Sequence, residues 1–196
     1  MFFSFKIVYR NIYIPHAIII YHMLQNYSRY RLLQEFFYSP RKDFHMRELS
    51  RRIKLAQISV INHLNYLVKQ NLVIKEKKSI YPSYRANQEN ELFILLKKQN
   101  LMLRIKSSGL AKFLEDNLRP NCIILFGSAS QGMDNEKSDI DLFIQAKESK
   151  LNLSKYSKLL NRNINLFFEP NLKNLNKELL NNIINGEILS GYLKVF

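Results

Sequence analysis

Residues 125–144 read LFGSASQGMDNEKSDIDLFI. An apolar run leads into Gly127-Ser128, ten residues follow, and Asp139 and Asp141 then flank Ile140 at the start of a second apolar run. The pattern predicts a strand ending at Gly127 and a short helix starting at Ser128. Backbone N–H groups at a helix start point toward an anion, and the missing side chain of Gly127 lets a phosphate come close. The Ser128 hydroxyl adds a donor. Two residues apart on a strand, Asp139 and Asp141 present their carboxylates on one side, while Ile140 faces the core. Paired carboxylates repel unless a cation lies between them, and hard oxygen ligands favour Mg²⁺. A phosphate-binding turn beside paired carboxylates is the apparatus of metal-assisted nucleotidyl transfer. Taken singly, Gly-Ser is any turn and Asp-x-Asp any strand edge. Their combination at this spacing, between two apolar strands, is the specific signal.

The surrounding pattern predicts strands over 122–126, 140–144 and 164–168. A helix is expected near 174–185, ending at Gly186, with a last strand from Ile188 to Val195. Strands and helices mixed in this way indicate one α/β sheet domain.

This half resembles the minimal form of the DNA polymerase β-like nucleotidyltransferase superfamily, through the motif Gly-Ser-x10-Asp-x-Asp at Gly127, Ser128, Asp139 and Asp141. The resemblance covers about residues 108–196. It implies a mixed sheet packed on helices, MgATP or another nucleotide as donor, and a polar acceptor group. It also implies Asp139 and Asp141 as catalytic and metal-holding residues, with Gly127, Ser128 and residue 131 on the nucleotide. Two positions depart from the family pattern. Gln131 stands where the turn often carries Arg. Asn165, within Ile164-Asn165-Leu166, stands where a later strand carries a third carboxylate. Asn cannot act as a general base and is a poorer Mg²⁺ ligand. Glu169 shares the face of Asn165, but four residues along a strand is roughly 13 Å.

The first half has another character. Residues 28–38, SRYRLLQEFFY, read as a helix with Ser28 as its N-cap and Tyr30, Leu33, Phe36 and Phe37 on one face. A short extended piece at Asp43–His45 precedes helices over Met46–Ile53 and Gln57–Gln70. Asn71 suits the left-handed residue after a helix. Two short strands, 72–75 and 80–85, follow with a basic turn between them. This order, and the segment RELSRRIKLAQISVINHLNYLVKQNLV at 47–73, is similar to the winged helix-turn-helix of many prokaryotic transcription regulators. The resemblance implies that Gln57, Ser59, Asn62 and Asn65 face base edges. Arg47, Arg51, Arg52 and Lys54 would touch phosphates, and Lys75, Lys77 and Lys78 would form the wing tip. A winged helix that binds protein, its basic side chains merely solvated, is the competing reading.

The expected fold class is therefore α+β with two domains. Residues 1–22 read as an apolar extension, 23–87 as the winged helix-turn-helix, 88–107 as a connecting amphipathic helix and 108–196 as the nucleotidyltransferase-like domain. Met23, just before the first well-patterned helix, is a candidate true start. Charge follows the same division. Residues 1–106 hold 19 Lys+Arg against 6 Asp+Glu, a net +13, whereas 107–196 hold 11 against 10, a net +1. A basic half beside a neutral one suits a polyanion-binding module fused to something else. No apolar stretch approaches the roughly 20 residues of a membrane span, so no membrane role is expected. The single cysteine, Cys122, excludes an internal disulfide and suits a reducing cytoplasm. The four histidines lie at no zinc-ligand spacing.

Two functions follow. One is a nucleotidyltransferase with a DNA-binding domain, moving AMP from ATP to a protein; minimal domains of this kind are often antitoxins, which makes a HEPN toxin the implied acceptor. The other is a transcription regulator whose nucleotidyltransferase-like domain senses nucleotide without transferring it. DNA, nucleotide, a HEPN toxin and a second copy of the chain are the partners considered.

Overall fold

The computed structural model describes residues 16–77 and 80–194. The chain runs α1 (His16–Gln25), α2 (Ser28–Tyr38), β1 (Phe44–His45), α3 (Met46–Ile53), α4 (Gln57–Lys69), β2 (Val73–Glu76), β3 (Ser83–Ala86) and α5 (Glu91–Ser107). The strands form an antiparallel sheet in the order β1-β3-β2. Apolar residues at helical spacing close one core: Leu32, Phe36 and Phe37 of α2, Leu49 and Ile53 of α3, and Val60, Leu64 and Leu67 of α4 are all buried. Phe44 and Tyr84 seal it from the sheet side. Lys54 (φ 52°) and Asn71 (φ 57°) end α3 and α4 in the left-handed conformation.

The second half comprises α6 (Leu110–Leu118), β4 (Cys122–Phe126), β5 (Ile140–Ile144), α7 (Ser154–Leu160), β6 (Ile164–Phe168), a 3-10 turn (Leu172–Asn174), α8 (Lys177–Ile184) and β7 (Glu187–Gly191). The strands form one mixed sheet, β6-β5-β4-β7, with β5 and β6 parallel and the other pairs antiparallel. Both faces are covered, which is why β4 and β5 are nearly continuous apolar runs. Ile123, Leu125, Ile140, Leu142 and Ile144 share a core with Ile105, Leu114 and Tyr156 of the helical layer. Cys122, Ile124 and Phe143 point the other way, toward Leu172 and Ile183. Burial pushes the Cys122 thiol up to about 11, so this cysteine is a packing residue.

Several local expectations need correction. Tyr27, not Ser28, occupies the N-cap of α2, and no side chain caps that end. Asn90 caps α5, its Oδ1 accepting from the N–H of Phe93 at 3.0 Å, so that helix starts at Glu91 rather than 88. The final strand stops at Gly191 rather than 195. Two helices were not expected. α7 lies in a stretch read without regular structure. α1 crosses Met23 without a break and packs on α5. Its consecutive Ile18-Ile19-Ile20 hides any amphipathic period, and its order comes from that packing. Residues 1–15, with the apolar Phe2–Phe5 segment, lie outside the described residues.

Contacts to α5 join the two halves. Tyr30 donates to Asn100 Oδ1 at 2.8 Å, Gln34 Nε2 donates to the same oxygen at 2.9 Å, and the Arg104 guanidinium stands 4.7 Å from the Tyr38 ring centre. Burial, above other causes, pushes the phenols of Tyr30 and Tyr38 up to about 12. The protonated phenol is favoured in the folded state. Its contribution is complete below the ordinary value near 10 and is lost as pH rises toward 12. We expect the chain to lose stability over pH 10–12, with the part of the tyrosinate absorbance that Y30F/Y38F removes rising late and cooperatively. A plain, non-cooperative titration of that part near pH 10 would refute this.

Candidate functional site

β4 delivers the chain to Gly127, whose φ of +73° lies in the left-handed region. A Cβ there would stand 3.2 Å from Asp141 Oδ2, tighter than ordinary contact, so glycine lets the backbone lie beside the carboxylate without displacing it. The expected short helix at Ser128 is instead a run of tight turns. Ser130 N–H donates to Gly127 O (3.2 Å), Gln131 N–H to Ser128 O (3.3 Å), Gly132 N–H to Ala129 O (3.3 Å) and Met133 N–H to Ser128 O (2.9 Å). The second glycine, Gly132, halts the run at φ +73°. Like a helix start, such a run leaves its leading N–H groups outside the series, where an anion can meet them. Ser128 and Gln131 are exposed on its surface.

Across the sheet, Asp141 lies opposite Phe126 of β4 on one side and Asn165 of β6 on the other. Asp139 immediately precedes β5. The parallel register brings all three polar residues together. Asn165 Nδ2 donates to Asp139 Oδ2 at 3.2 Å and to Asp141 Oδ1 at 2.9 Å. One amide thus bridges two carboxylates that would otherwise repel. Glu169 stays outside this cluster, its Oε1 accepting from Asn171 N–H at 2.9 Å and Asn174 Nδ2 at 3.1 Å. Among the described residues no group of three or more His, Cys, Asp or Glu side chains could hold a metal.

Residues 109–191 match the family model described as Polymerase beta, Nucleotidyltransferase. No curated protein and no solved structure matches the chain. The turn at Gly127 and the Asp139, Asp141 and Asn165 cluster both fall inside the matched residues.

The loop between Gly127-Ser128 and Asp139-x-Asp141 is pinned by residues that motif reading missed. Lys97 of α5 donates to Gly132 O at 3.1 Å and to the backbone oxygen of Asp134. Its ammonium also pairs with Asp134 Oδ1 at 3.1 Å, and Arg162 Nη1 lies 2.5 Å from Asp134 Oδ2. All three side chains are buried. Burial holds the Lys97 amine below its ordinary range, with Asp134 opposing. A sequence signal existed: Lys97 occupies a core position in the series Phe93, Lys97, Leu101, Ile105, all buried. A shallow cleft of about 430 Å³ opens between this loop and α7, lined by Lys137, Ser138, Asp139, Lys158 and Asn161 among others.

In the first half, Gln57, Asn62 and Asn65 are exposed on α4, and Ser59 is half-buried. Arg47, Arg51, Lys54, Lys75 and Lys77 are exposed, whereas Lys78 lies outside the described residues. Arg52, expected on phosphates, is exposed and ion-paired. Its guanidinium pairs with Glu35 Oε2 at 3.0 Å and Glu48 Oε1 at 3.0 Å, which ties α3 to α2. Tyr66 is exposed, with the Arg29 guanidinium 3.7 Å over its ring. Burial, then the charge of Arg29, lowers the His63 pKa, as befits a half-buried helix-face histidine. No helix among the described residues is long and apolar enough to cross a membrane.

Proposed function

We propose that this chain is a nucleotidyltransferase-like protein that binds MgATP or another nucleoside triphosphate, joined to a winged helix-turn-helix that binds DNA. The observation that carries the first part is the approach of the Gly127 turn to Asp141, beside Asp139. Backbone N–H groups and the Ser128 hydroxyl suit phosphate oxygens, and Gln131 offers a neutral amide where Arg would add charge. Two carboxylates suffice for Mg²⁺, which binds through one or two of them plus substrate phosphates and waters. When bound, Mg²⁺ neutralises phosphate charge and polarises the phosphoryl group. Asn165 orients both carboxylates but has no basic oxygen with which to take a proton from an acceptor. That favours slow transfer, and with it the reading of the domain as a nucleotide sensor for a DNA-binding regulator. Where transfer occurs, the acceptor is a protein, for which a HEPN toxin is the candidate. For the first half, support comes from the order helix, strand, two helices and hairpin, with exposed cations on α3 and β2.

Calorimetric titration of the full chain with MgATP tests the nucleotide reading. Binding should need the divalent ion and should weaken at least tenfold in the D139A/D141A double variant, because the ion is then held by too little charge against its hydration shell. Unchanged MgATP binding by that variant overturns the assignment.

A further inference from the structure

The outward face of α4 carries an arrangement that the DNA-binding reading does not by itself require. Ile58, Asn62, Asn65 and Lys69 follow one another along a single stripe at helical spacing, opposite the buried Val60, Leu64 and Leu67. Ile58 is 76% exposed, and Ile61, beside the stripe, is 38% exposed. Two branched apolar side chains, three residues apart on one helix face, give a partner apolar surface to bury. The surroundings define its charge. α3 and β2, either side of α4 in the chain, expose Arg47, Arg51 and Lys75, and Lys77 is exposed just after β2. Between residues 46 and 77 the only acids are Glu48 and Glu76. Glu48 is paired with Lys42 and Arg52, and Glu76 with Arg85. The partner is therefore a polyanion that also offers apolar groups.

We infer that α4 reads A·T base pairs in the major groove of duplex DNA, with Asn62 and Asn65 on adenine and Ile58 and Ile61 against thymine methyls. This rests on the winged-helix reading above and sharpens it. An Asn amide matches the acceptor and donor that adenine presents at N7 and N6, and the thymine 5-methyl is the one apolar group on the major-groove edge. Guanine is read by Arg or Lys through O6 and N7. α4 has no Arg, and its single lysine, Lys69, sits in the last turn, one turn beyond Asn65 and farthest from the helix N-terminus that enters the groove in helix-turn-helix proteins. Ile58 and Ile61 lie within the first five residues of α4.

Fluorescence anisotropy of the full chain tests this on three duplexes of equal length: mixed-sequence A·T, mixed-sequence G·C, and the A·T duplex with every thymine replaced by uracil. The A·T duplex should bind on the order of tenfold more tightly than G·C. Loss of the methyl groups should weaken binding severalfold, and I58A/I61A should bind the thymine and uracil duplexes equally. The uracil arm separates methyl contact from minor-groove shape, which it leaves largely unchanged. N62A/N65A should lose most of the preference for A·T while keeping the steep salt dependence of phosphate contacts. These four side chains are exposed, so the variants keep the wild-type melting temperature. Equal affinity for all three duplexes, with steep salt dependence, overturns the inference and leaves DNA binding standing. No binding to any duplex at low salt overturns the DNA-binding reading itself.

Discussion

Asn165→Asp should raise nucleotidyl transfer by about 100-fold or more, from a very slow wild-type rate, since general base action contributes on the order of 100- to 10,000-fold when an acid of suitable basicity is in place. On the proposed reading Asn165 takes the place of such an acid; its Nδ2 donates to Asp139 Oδ2 at 3.2 Å and to Asp141 Oδ1 at 2.9 Å. Aspartate at this position supplies an oxygen that can accept the acceptor's proton and a third hard ligand. Labelled ATP, Mg²⁺ and a lysate or candidate partner provide the assay. A second readout needs no acceptor. Asn165→Asp removes the bridging donor and sets three carboxylates together, so the variant should melt below wild type in EDTA and recover with Mg²⁺. Robust wild-type transfer that Asn165→Ala leaves unchanged would show that the proton is taken elsewhere.

Asp134→Ala should cost about 3–5 kcal/mol of folding stability, the range for removing one partner of a buried ion pair. The reason is the charge left behind. Lys97 and Arg162 would face each other across the site of the lost carboxylate, both in a buried environment. Urea unfolding at neutral pH measures the loss. Lys97→Met in the same background removes one stranded cation and should recover part of it. The pH dependence has a defined sign. Burial already holds the folded-state pKa of Lys97 below 10.5. A depressed lysine penalises the folded state while protonated, so the Asp134→Ala variant should gain stability as pH rises toward that ordinary value. A loss under about 1 kcal/mol would mean that water, not Asp134, compensates the two cations. The cluster also ties α5 to the loop between the two motifs. Gly132 packs there so closely that a Cβ would stand 2.7 Å from Ile94 O.

Much of the fold was legible because local pattern and burial agree. Cys122–Phe126, Ile140–Ile144 and Ile164–Phe168 are strands over the residues that their apolar runs indicate. α3 spans Met46–Ile53 as its periodicity implies, and Asn71 takes the left-handed turn its residue type allows. The Gly-Ser and Asp-x-Asp elements announce their chemistry because backbone flexibility and paired charge are properties of the residues themselves. Tertiary structure decided the rest. Asn165 meets the two aspartates only through the parallel register of β5 and β6, 24 residues apart in the chain for Asp141. Arg52 looks like a free basic residue until α2 brings Glu35 to it, 17 positions away. Lys97 and Asp134, 37 apart, are a solvated lysine and a loop aspartate until α5 packs against the loop. α1 has no amphipathic stripe of its own and owes its place to α5. Sequence pattern determined the backbone conformation and the inward faces, since both depend on neighbouring residues. Which charge meets which depends on long-range register and packing, and only the folded chain fixes those.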